Sequence, residues 1–321
     1  MLSTCLRRLA ATALLLGATA AQAWPTQPIT FVVPYTPGTG IDIIARQLGA
    51  RLPDALGQPV IVDNAAGASG NIGSEKAARA KPDGHTLLVQ VNTLVMNRSL
   101  FTSLTYDPVE DFVPVAQTSW GTLLLVTNPQ VQPAKDVAGL LAAAKDKPGA
   151  LTYATPGVGT PHHLAMALFT QRTGAELLHV PYKGTAGAVT DLLGGRIDAM
   201  FLPVHVALPH VKSGRLAVLA TGGDERLTTL PDVPTLKEAG VDMDSVDMWY
   251  GVFAPKGTPD DVVQRMNDEI GRVLAAPEVA AAFEAQGMVP ATSEPAEFAT
   301  LVREDADRWA EVIRAGKITA E

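Results

Sequence analysis

Two short glycine-containing segments are the residues of this chain best suited to chemistry. Pro37–Gly40 and Pro156–Gly159 both read Pro-Gly-x-Gly, and each stands between an apolar run and a segment with helical spacing. Glycine lets the backbone approach a ligand closely, and the N–H groups that begin a helix attract anions. The two segments therefore indicate anion binding by backbone N–H groups, those of Thr39–Gly40 and Gly159–Thr160.

A dinucleotide site is one alternative for the first segment. Gly38 and Gly40 supply Gly-x-Gly, and Asp63 follows at about the distance expected of a ribose-binding acid. The third glycine of that motif is replaced by Ile43, and Asp63 before Asn64 is more simply a turn residue. The pattern therefore favours an anion site without a nucleotide cofactor.

Catalytic and metal-binding patterns are sparse. Gly67–Asn71 stops one residue short of Gly-x-Ser-x-Gly. The neighbours His162 and His163 would point about 100° apart on a helix, and His205 and His210 are separated by a segment that contains proline. The sequence thus predicts no catalytic residue, no metal ion and no cofactor.

Two charged side chains remain open between structural and binding roles. Asp42 could pair with Arg46 one helical turn later, or it could contact a ligand. Lys183 could meet a ligand carboxylate or remain solvated.

The elements that must position these loops alternate between strands and helices. Strands predicted at 29–34, 60–62 and 86–91 are separated by helices at 41–56 and 71–80, which is a βαβαβ order typical of a parallel sheet. A second set follows, with strands at 123–126, 151–154, 177–180, 197–202, 216–220 and 249–254 and helices at 134–144, 161–172, 186–193, 259–274 and 295–315. Both Pro-Gly-x-Gly loops then follow the carboxyl end of a strand, where open α/β sheets bind ligands.

Composition argues against a nucleic-acid or anionic-membrane partner. The chain has 321 residues and a formal net charge of −8, which disfavours nucleic acid and anionic membrane surfaces. Arg7 and Arg8 precede a short apolar run that ends in Ala21–Ala23, a pattern typical of a signal peptide cleaved after Ala23. Cleavage would remove Cys5, the only cysteine, and predicts an exported protein without disulfides and without a membrane-inserted segment.

Six motifs in order along the chain resemble one family. The sequence is similar to the Bug-type periplasmic receptors of tripartite tricarboxylate transporters in the segments VPYTPGTGIDIIARQL, DNAAGASGNIGSEKAARAKPDGHTLL, TPGVGTPHHLAMALF, HVPYKGTAGAVTDLLGGRIDAMF, LPDVPTLKEAG and WYGVFAPKGTPDDVV. The resemblance implies a two-lobed α/β periplasmic binding protein of type II, the Venus flytrap, in which each lobe is a mostly parallel sheet flanked by helices. It also implies a small carboxylate ligand, such as a di- or tricarboxylate, an acidic amino acid or an aromatic acid.

The resemblance further implies which residues line the cleft. Matched by motif, the ligand-binding residues would be Tyr35, Thr39, Gly40, Asp42, Ser69, Gly70, Asn71, Asn92, Thr155, Gly157, Gly159, Thr160, His163, Tyr182 and Lys183.

The expected organisation follows from the same resemblance. A signal peptide at 1–23 precedes a first lobe at 24–122, a second lobe at 123–249 and a return to the first lobe at 250–321, with the lobe of the last helix left open. We expect a periplasmic monomer that hands its ligand to membrane transporter subunits. Two alternatives remain, an exported enzyme acting on a carboxylic acid or ester, and a ligand sensor that feeds a signalling partner.

Overall fold

The computed structural model describes residues 24–182 and 184–320. The predicted signal peptide, Cys5 and Lys183 lie outside the described residues, so the expectations about them stay predictions. No helix in those two ranges is long and apolar enough to cross a membrane.

Eleven strands occur in the described residues. In chain order they are β1 (Ile29–Val33), β2 (Val60–Asn64), β3 (Thr86–Val91), β4 (Phe112–Gly121), β5 (Leu123–Thr127), β6 (Thr152–Thr155), β7 (Leu178–Pro181), β8 (Ala199–Pro203), β9 (Ala217–Thr221), β10 (Met248–Pro255) and β11 (Met288–Pro290).

The α-helices flank these strands, and a 3₁₀ turn, Ala68–Gly70, precedes one of them. In chain order the helices are α1 (Gly40–Gly49), α2 (Leu52–Leu56), α3 (Asn71–Ala78), α4 (Thr93–Leu100), α5 (Val137–Asp146), α6 (Pro161–Thr173), α7 (Thr185–Leu193), α8 (Val204–Lys212), α9 (Asp260–Leu274), α10 (Pro277–Glu284) and α11 (Pro295–Gly316).

The strands form two sheets, each covered by helices. The first sheet has the order β11-β4-β10-β3-β1-β2 and the second has the order β7-β6-β8-β5-β9. This confirms the two-lobed α/β fold, and we call each sheet with its helices a lobe. Each sheet is mixed rather than mostly parallel, because β10 runs antiparallel to both β3 and β4 and β5 runs antiparallel to both β8 and β9.

Several elements differ from the sequence expectation for identifiable reasons. The helix expected over 41–56 is two helices, because Pro53 has no N–H to continue the first one. Helix α8 was not expected, since it carries Pro209 in its interior. Strand β4 was also not expected, because it contains Pro114 and lacks a regular alternation. The short elements α4, α10 and β11 were likewise not identified from the sequence.

The chain moves between the sheets twice. It leaves the first sheet after Gly121, enters the second with Leu123, and returns to the first with Met248. The lobe limits proposed from the sequence stay a prediction, but Met248 and Trp249 already pair with β4 of the first sheet.

The last helix, α11, contacts both lobes. It packs against β4 and α4 of the first lobe and against α6 of the second. The indole Nε1–H of Trp249 donates to Asp305 Oδ2 of this helix at 2.8 Å, and the Trp249 and Phe298 rings meet edge to face at 5.4 Å. The helix whose placement the sequence left open is therefore fixed to the strand on which the chain returns.

Candidate functional site

The two glycine loops lead into helix starts with nearly the same geometry. Thr39, before α1, has φ −76° and ψ 161°, and Thr160, before α6, has φ −71° and ψ 157°. Neither side chain caps its helix, because the Thr39 hydroxyl donates to Thr36 O and the Thr160 hydroxyl donates to Gly157 O. The first-turn N–H groups of both helices are therefore left without a side-chain acceptor in the part of the chain described.

The Asp42 carboxylate stabilises the first loop through hydrogen bonds. Its carboxylate accepts hydrogen bonds from Gly38 N–H at 2.9 Å, Arg46 Nε at 2.9 Å and Asn64 Nδ2 at 3.0 Å. Burial disfavours the charged form, but these bonds outweigh that effect and hold the pKa of Asp42 below its usual value. Of the two roles left open by the sequence, the structure therefore favours the structural one, and the Gly38 N–H is likewise occupied.

His163 plays a similar part in the second loop. Its Nδ1 accepts the Gly159 N–H at 3.1 Å, and its ring stacks on His179 at 4.2 Å. Burial and the neighbouring His179 lower the pKa of His163 to about 4, so the ring stays neutral and able to accept. The Gly159 N–H expected to meet the ligand is thus bonded to His163, and His163 orders the loop from behind.

The residues behind this loop form a stacked group. The Tyr153 and His179 rings lie 4.8 Å apart and nearly parallel, and Thr155 Oγ1 is 2.7 Å from His179 Nε2. Thr155 is fully buried, and its hydroxyl also reaches Gly157 O at 3.2 Å. Among the expected site residues, Thr155 and Gly157 therefore shape the loop through contacts within the protein.

The third loop of the first lobe has an unusual backbone. Ala68 and Ser69 both lie in the left-handed region, with φ 47° and 54°. The Ser69 carbonyl holds this conformation by accepting Asn97 Nδ2 at 2.9 Å and Tyr35 Oη–H at 3.4 Å. Non-glycine residues in this region are strained and persist only where neighbours fix them. A Cβ added to Gly70 would lie 3.2 Å from Tyr35 Oη, so the loop and the Tyr35 side chain are close together.

Two asparagines expected in the site make different contacts. Asn71 Oδ1 accepts Asn97 Nδ2 and Tyr106 Oη–H, both at 2.8 Å, so this amide oxygen is used inside the lobe. Asn92 is fully buried and donates through Nδ2 to Asp247 O at 3.4 Å, whereas its Oδ1 has no partner among the described residues. Asn92 therefore joins the end of β3 to the returning chain.

Tyr182 is turned towards its own lobe. Its hydroxyl donates to Asp191 Oδ2 at 2.6 Å. Its backbone carbonyl lies near Gly157, where an added Cβ would be 3.6 Å away. Lys183, the expected neighbour of Tyr182, lies outside the described residues.

The two lobes meet at the glycine loops. A Cβ placed on Gly40 would lie 3.2 Å from Tyr250 Oη and 3.5 Å from His205 Cε1, and His205 belongs to the second lobe. A Cβ on Gly159, whose φ is +76°, would lie 2.6 Å from Leu100 Cδ1 of the first lobe. Each loop therefore touches the opposite lobe, and at Gly159 only glycine fits without a shift of its neighbours.

Sequence reasoning missed three residues at this meeting point. The spacing of His205 from His210 gives no ligand pattern, nothing in its strand distinguishes Tyr250, and His162 beside His163 suggests only a metal ligand. Burial raises the pKa of Tyr250, and burial together with His205 lowers the pKa of His162 to about 3. No spacing in the sequence signals this grouping, because it depends on α8. Within the described ranges, no cluster of three His, Cys, Asp or Glu side chains could hold a metal ion.

Comparisons with known proteins agree with this architecture. Residues 44–318 match the family described as the tripartite tricarboxylate transporter family receptor. Protein BugT of Bordetella pertussis is 38% identical over 306 residues, covering 95% of this chain and 94% of BugT.

Two solved structures are also similar to the chain. One, described as R. palustris Rpa4515 with adipate, is 32% identical, has a TM-score of 0.85, and covers 92% of this chain and 99% of its own. The other, MatC (Rpa3494) from Rhodopseudomonas palustris with bound malate, is also 32% identical and has a TM-score of 0.80. The match covers 90% of this chain and 100% of MatC.

Two α/β lobes that meet at paired glycine loops define a periplasmic binding protein. The match over most of the chain is more specific, and the chain belongs to the tripartite tricarboxylate transporter receptor family. The Bug-type resemblance noted in the sequence is thereby confirmed.

Proposed function

We propose that this protein is a periplasmic solute receptor that binds a small carboxylate between its lobes and delivers it to a tripartite tricarboxylate-type transporter. The observation that carries the proposal is the pair of matched, uncapped helix starts at the two glycine loops. N–H groups there carry partial positive charge, so they suit a carboxylate. The donors we assign are the N–H groups of Gly40 and Ile41 in the first lobe and of His162 in the second, since Pro161 has none.

The relatives support the same ligand class. Adipate and malate, bound in two structures that are each 32% identical to this chain, are dicarboxylates. We therefore place a dicarboxylate first among di- and tricarboxylates, acidic amino acids and aromatic acids. The receptor would act as a monomer after removal of residues 1–23.

The enzyme alternative has one specific observation behind it. Thr155 Oγ1 and His179 Nε2 lie 2.7 Å apart, as a hydroxyl nucleophile and its base would. The fully buried Thr155 hydroxyl has no open face for a substrate, which favours the receptor. A ligand sensor would use the same binding site and would differ only in its partner.

Ligand binding should raise the melting temperature. A ligand that binds only the native state at a hundredfold excess over its Kd adds about 2.7 kcal/mol to the unfolding free energy. For a chain of this size, that corresponds to a rise of roughly 5 °C. Differential scanning fluorimetry with mono-, di- and tricarboxylates, each beside the amide of the same skeleton, measures the effect.

The matched amides are the control for charge. We expect acids to raise the melting temperature and full amides to leave it unchanged, because an amide brings no negative charge to the helix starts. Equal shifts from acids and amides would refute the anion site. Product analysis of the same samples tests the alternative, since turnover of an acid or ester without a partner would identify an enzyme.

A further inference from the structure

The two ring nitrogens of His162 are enclosed, although the residue as a whole is partly exposed. Both ring nitrogens are inaccessible to solvent, and neither has a hydrogen-bond partner among the described residues. A neutral imidazole carries one donor and one acceptor, and buried polar groups nearly always have partners. Two unpaired nitrogens on one ring therefore mark a place where a bound molecule would complete the hydrogen bonding.

The residues placed near His162 and the start of α1 supply hydrogen-bond donors. His205 on α8 lies close enough to His162 to disfavour its protonation, and it also reaches Gly40 at the start of α1. From β10 the Tyr250 hydroxyl meets the same glycine. The helix starts of α1 and α6 add partial positive charge.

Three other polar groups around the loops are already engaged. Asp42 on α1 is held by Arg46, Gly38 and Asn64. His163 on α6 accepts from Gly159, and Tyr35 donates to the Ser69 carbonyl. Lys183 lies outside the described residues. In the described part of the cleft, the histidine pair is thus the place where a second negative charge would be matched.

We propose that His162 and His205 form a subsite for the distal carboxylate of a dicarboxylate, and that the pair takes up a proton when this ligand binds. The inference rests on the proposed receptor function and adds a determinant of specificity to it. The proton bonds to a ring nitrogen and comes from solvent or buffer, and it gives an imidazolium beside the carboxylate. A half-amide of the same diacid brings no second charge and binds without proton uptake.

The direction of the pH effect follows from the ligand-free state. Burial lowers the pKa of both histidines, that of His162 to about 3, and so favours the neutral form of the pair without ligand. A carboxylate at their side raises the pKa of the pair, because the opposite charge favours the protonated form. Affinity for the diacid should therefore rise as pH falls from 8 to 6, until the ligand itself begins to protonate.

Calorimetry in two buffers measures the proton directly. The probes are succinate, glutarate, adipate and malate, and each of the first three is compared with its monoamide. At pH 6, the binding enthalpies measured in phosphate and in an imidazole buffer should differ. The difference should equal the difference between the two buffers' ionisation enthalpies multiplied by about one proton per diacid bound. The monoamides should show no such difference and should bind at least about tenfold more weakly.

Single substitutions assign the proton to this pair. His162→Gln and His205→Gln keep hydrogen-bonding capacity but cannot become cations, so each should reduce proton uptake and bring diacid and monoamide affinities close together. His210→Gln is the matched control, because His210 lies on the same helix as His205 and pairs with Arg215 at 2.7 Å. It should behave as the wild type.

The outcomes separate this inference from the proposed function. Diacids and monoamides that bind wild type equally, without proton uptake, would overturn the subsite and leave the carboxylate receptor intact. If no probe, acid or half-amide, binds the folded protein, both the receptor and the subsite for these acids are wrong. Proton uptake is measured first on the wild-type protein. That measurement can contradict the proposal even if a variant fails to fold.

Discussion

Gly40→Val should reduce carboxylate affinity at least about a hundredfold, which is about 2.7 kcal/mol. Its Cβ would lie 3.2 Å from Tyr250 Oη and 3.5 Å from His205 Cε1, and its two methyl groups would extend further between the lobes. The same side chain would also cover the N–H groups that we assign to the ligand. The melting temperature without ligand should stay close to that of wild type, because the Tyr250 hydroxyl is the end of a side chain that must shift only slightly, and the His205 contact is relieved when the lobes open.

Two variants control this result. Gly271→Val makes the same change on α9, where an added Cβ meets no heavy atom within 4 Å, and it should bind as wild type does. Gly40→Ala adds only the Cβ and should give an intermediate loss. Calorimetry gives the affinities, and circular dichroism melts confirm folding. A folded Gly40→Val protein that binds as tightly as wild type would contradict the assigned site.

Gly159→Val is a poorer test of the same loops. Gly159 has a φ of +76°, and a Cβ added there would lie 2.6 Å from Leu100 Cδ1. Valine would therefore strain the backbone and separate the lobes. The Gly159 N–H is in any case bonded to His163.

Asp305→Ala should lower the unfolding free energy by about 2–4 kcal/mol. Asp305 is 4% exposed and accepts Trp249 Nε1–H at 2.8 Å, Arg308 Nε at 3.0 Å and Arg308 Nη2 at 2.6 Å. Alanine would leave the buried indole N–H without an acceptor and the guanidinium without its carboxylate. Because this group fixes α11 to β10, its loss should weaken the contact between the last helix and the returning strand.

Asp305→Asn is the matched variant for this group. The amide oxygen can still accept from Trp249, so the loss of stability should be less than half of that for alanine. Urea unfolding with fluorescence detection measures both. Equal stability of Asp305→Ala and wild type would show that this network does not hold the last helix.

The sequence identifies the two glycine loops but not the hydrogen bonds that their N–H groups make. Both Pro-Gly-x-Gly segments lie at strand ends as predicted, and Thr39 and Thr160 share one backbone geometry. That the Gly159 N–H belongs to His163 is not visible in the sequence, because spacing does not fix which way an imidazole turns. The brace at Asp42 was foreseen only as a pair with Arg46, since its contact with Asn64 comes from the next strand.

His205 and Tyr250 are hidden in the sequence for other reasons. Pro209 argued against a helix over 204–212, so His205 had no predicted position. Tyr250 lies in a predicted strand, but alternation along that strand does not show that its hydroxyl reaches the start of α1. The local sequence pattern therefore identifies most strands and helices, whereas tertiary contacts decide which side chains reach the site.

A crystal structure of the complex with the dicarboxylate that raises the melting temperature most tests the central claim directly. We expect one carboxylate within about 3 Å of the N–H groups of Gly40 and Ile41 or of His162. The second carboxylate should lie beside His162 and His205. A carboxylate held by the Lys183 ammonium, with no backbone N–H of either helix start in hydrogen-bonding range, would contradict the account.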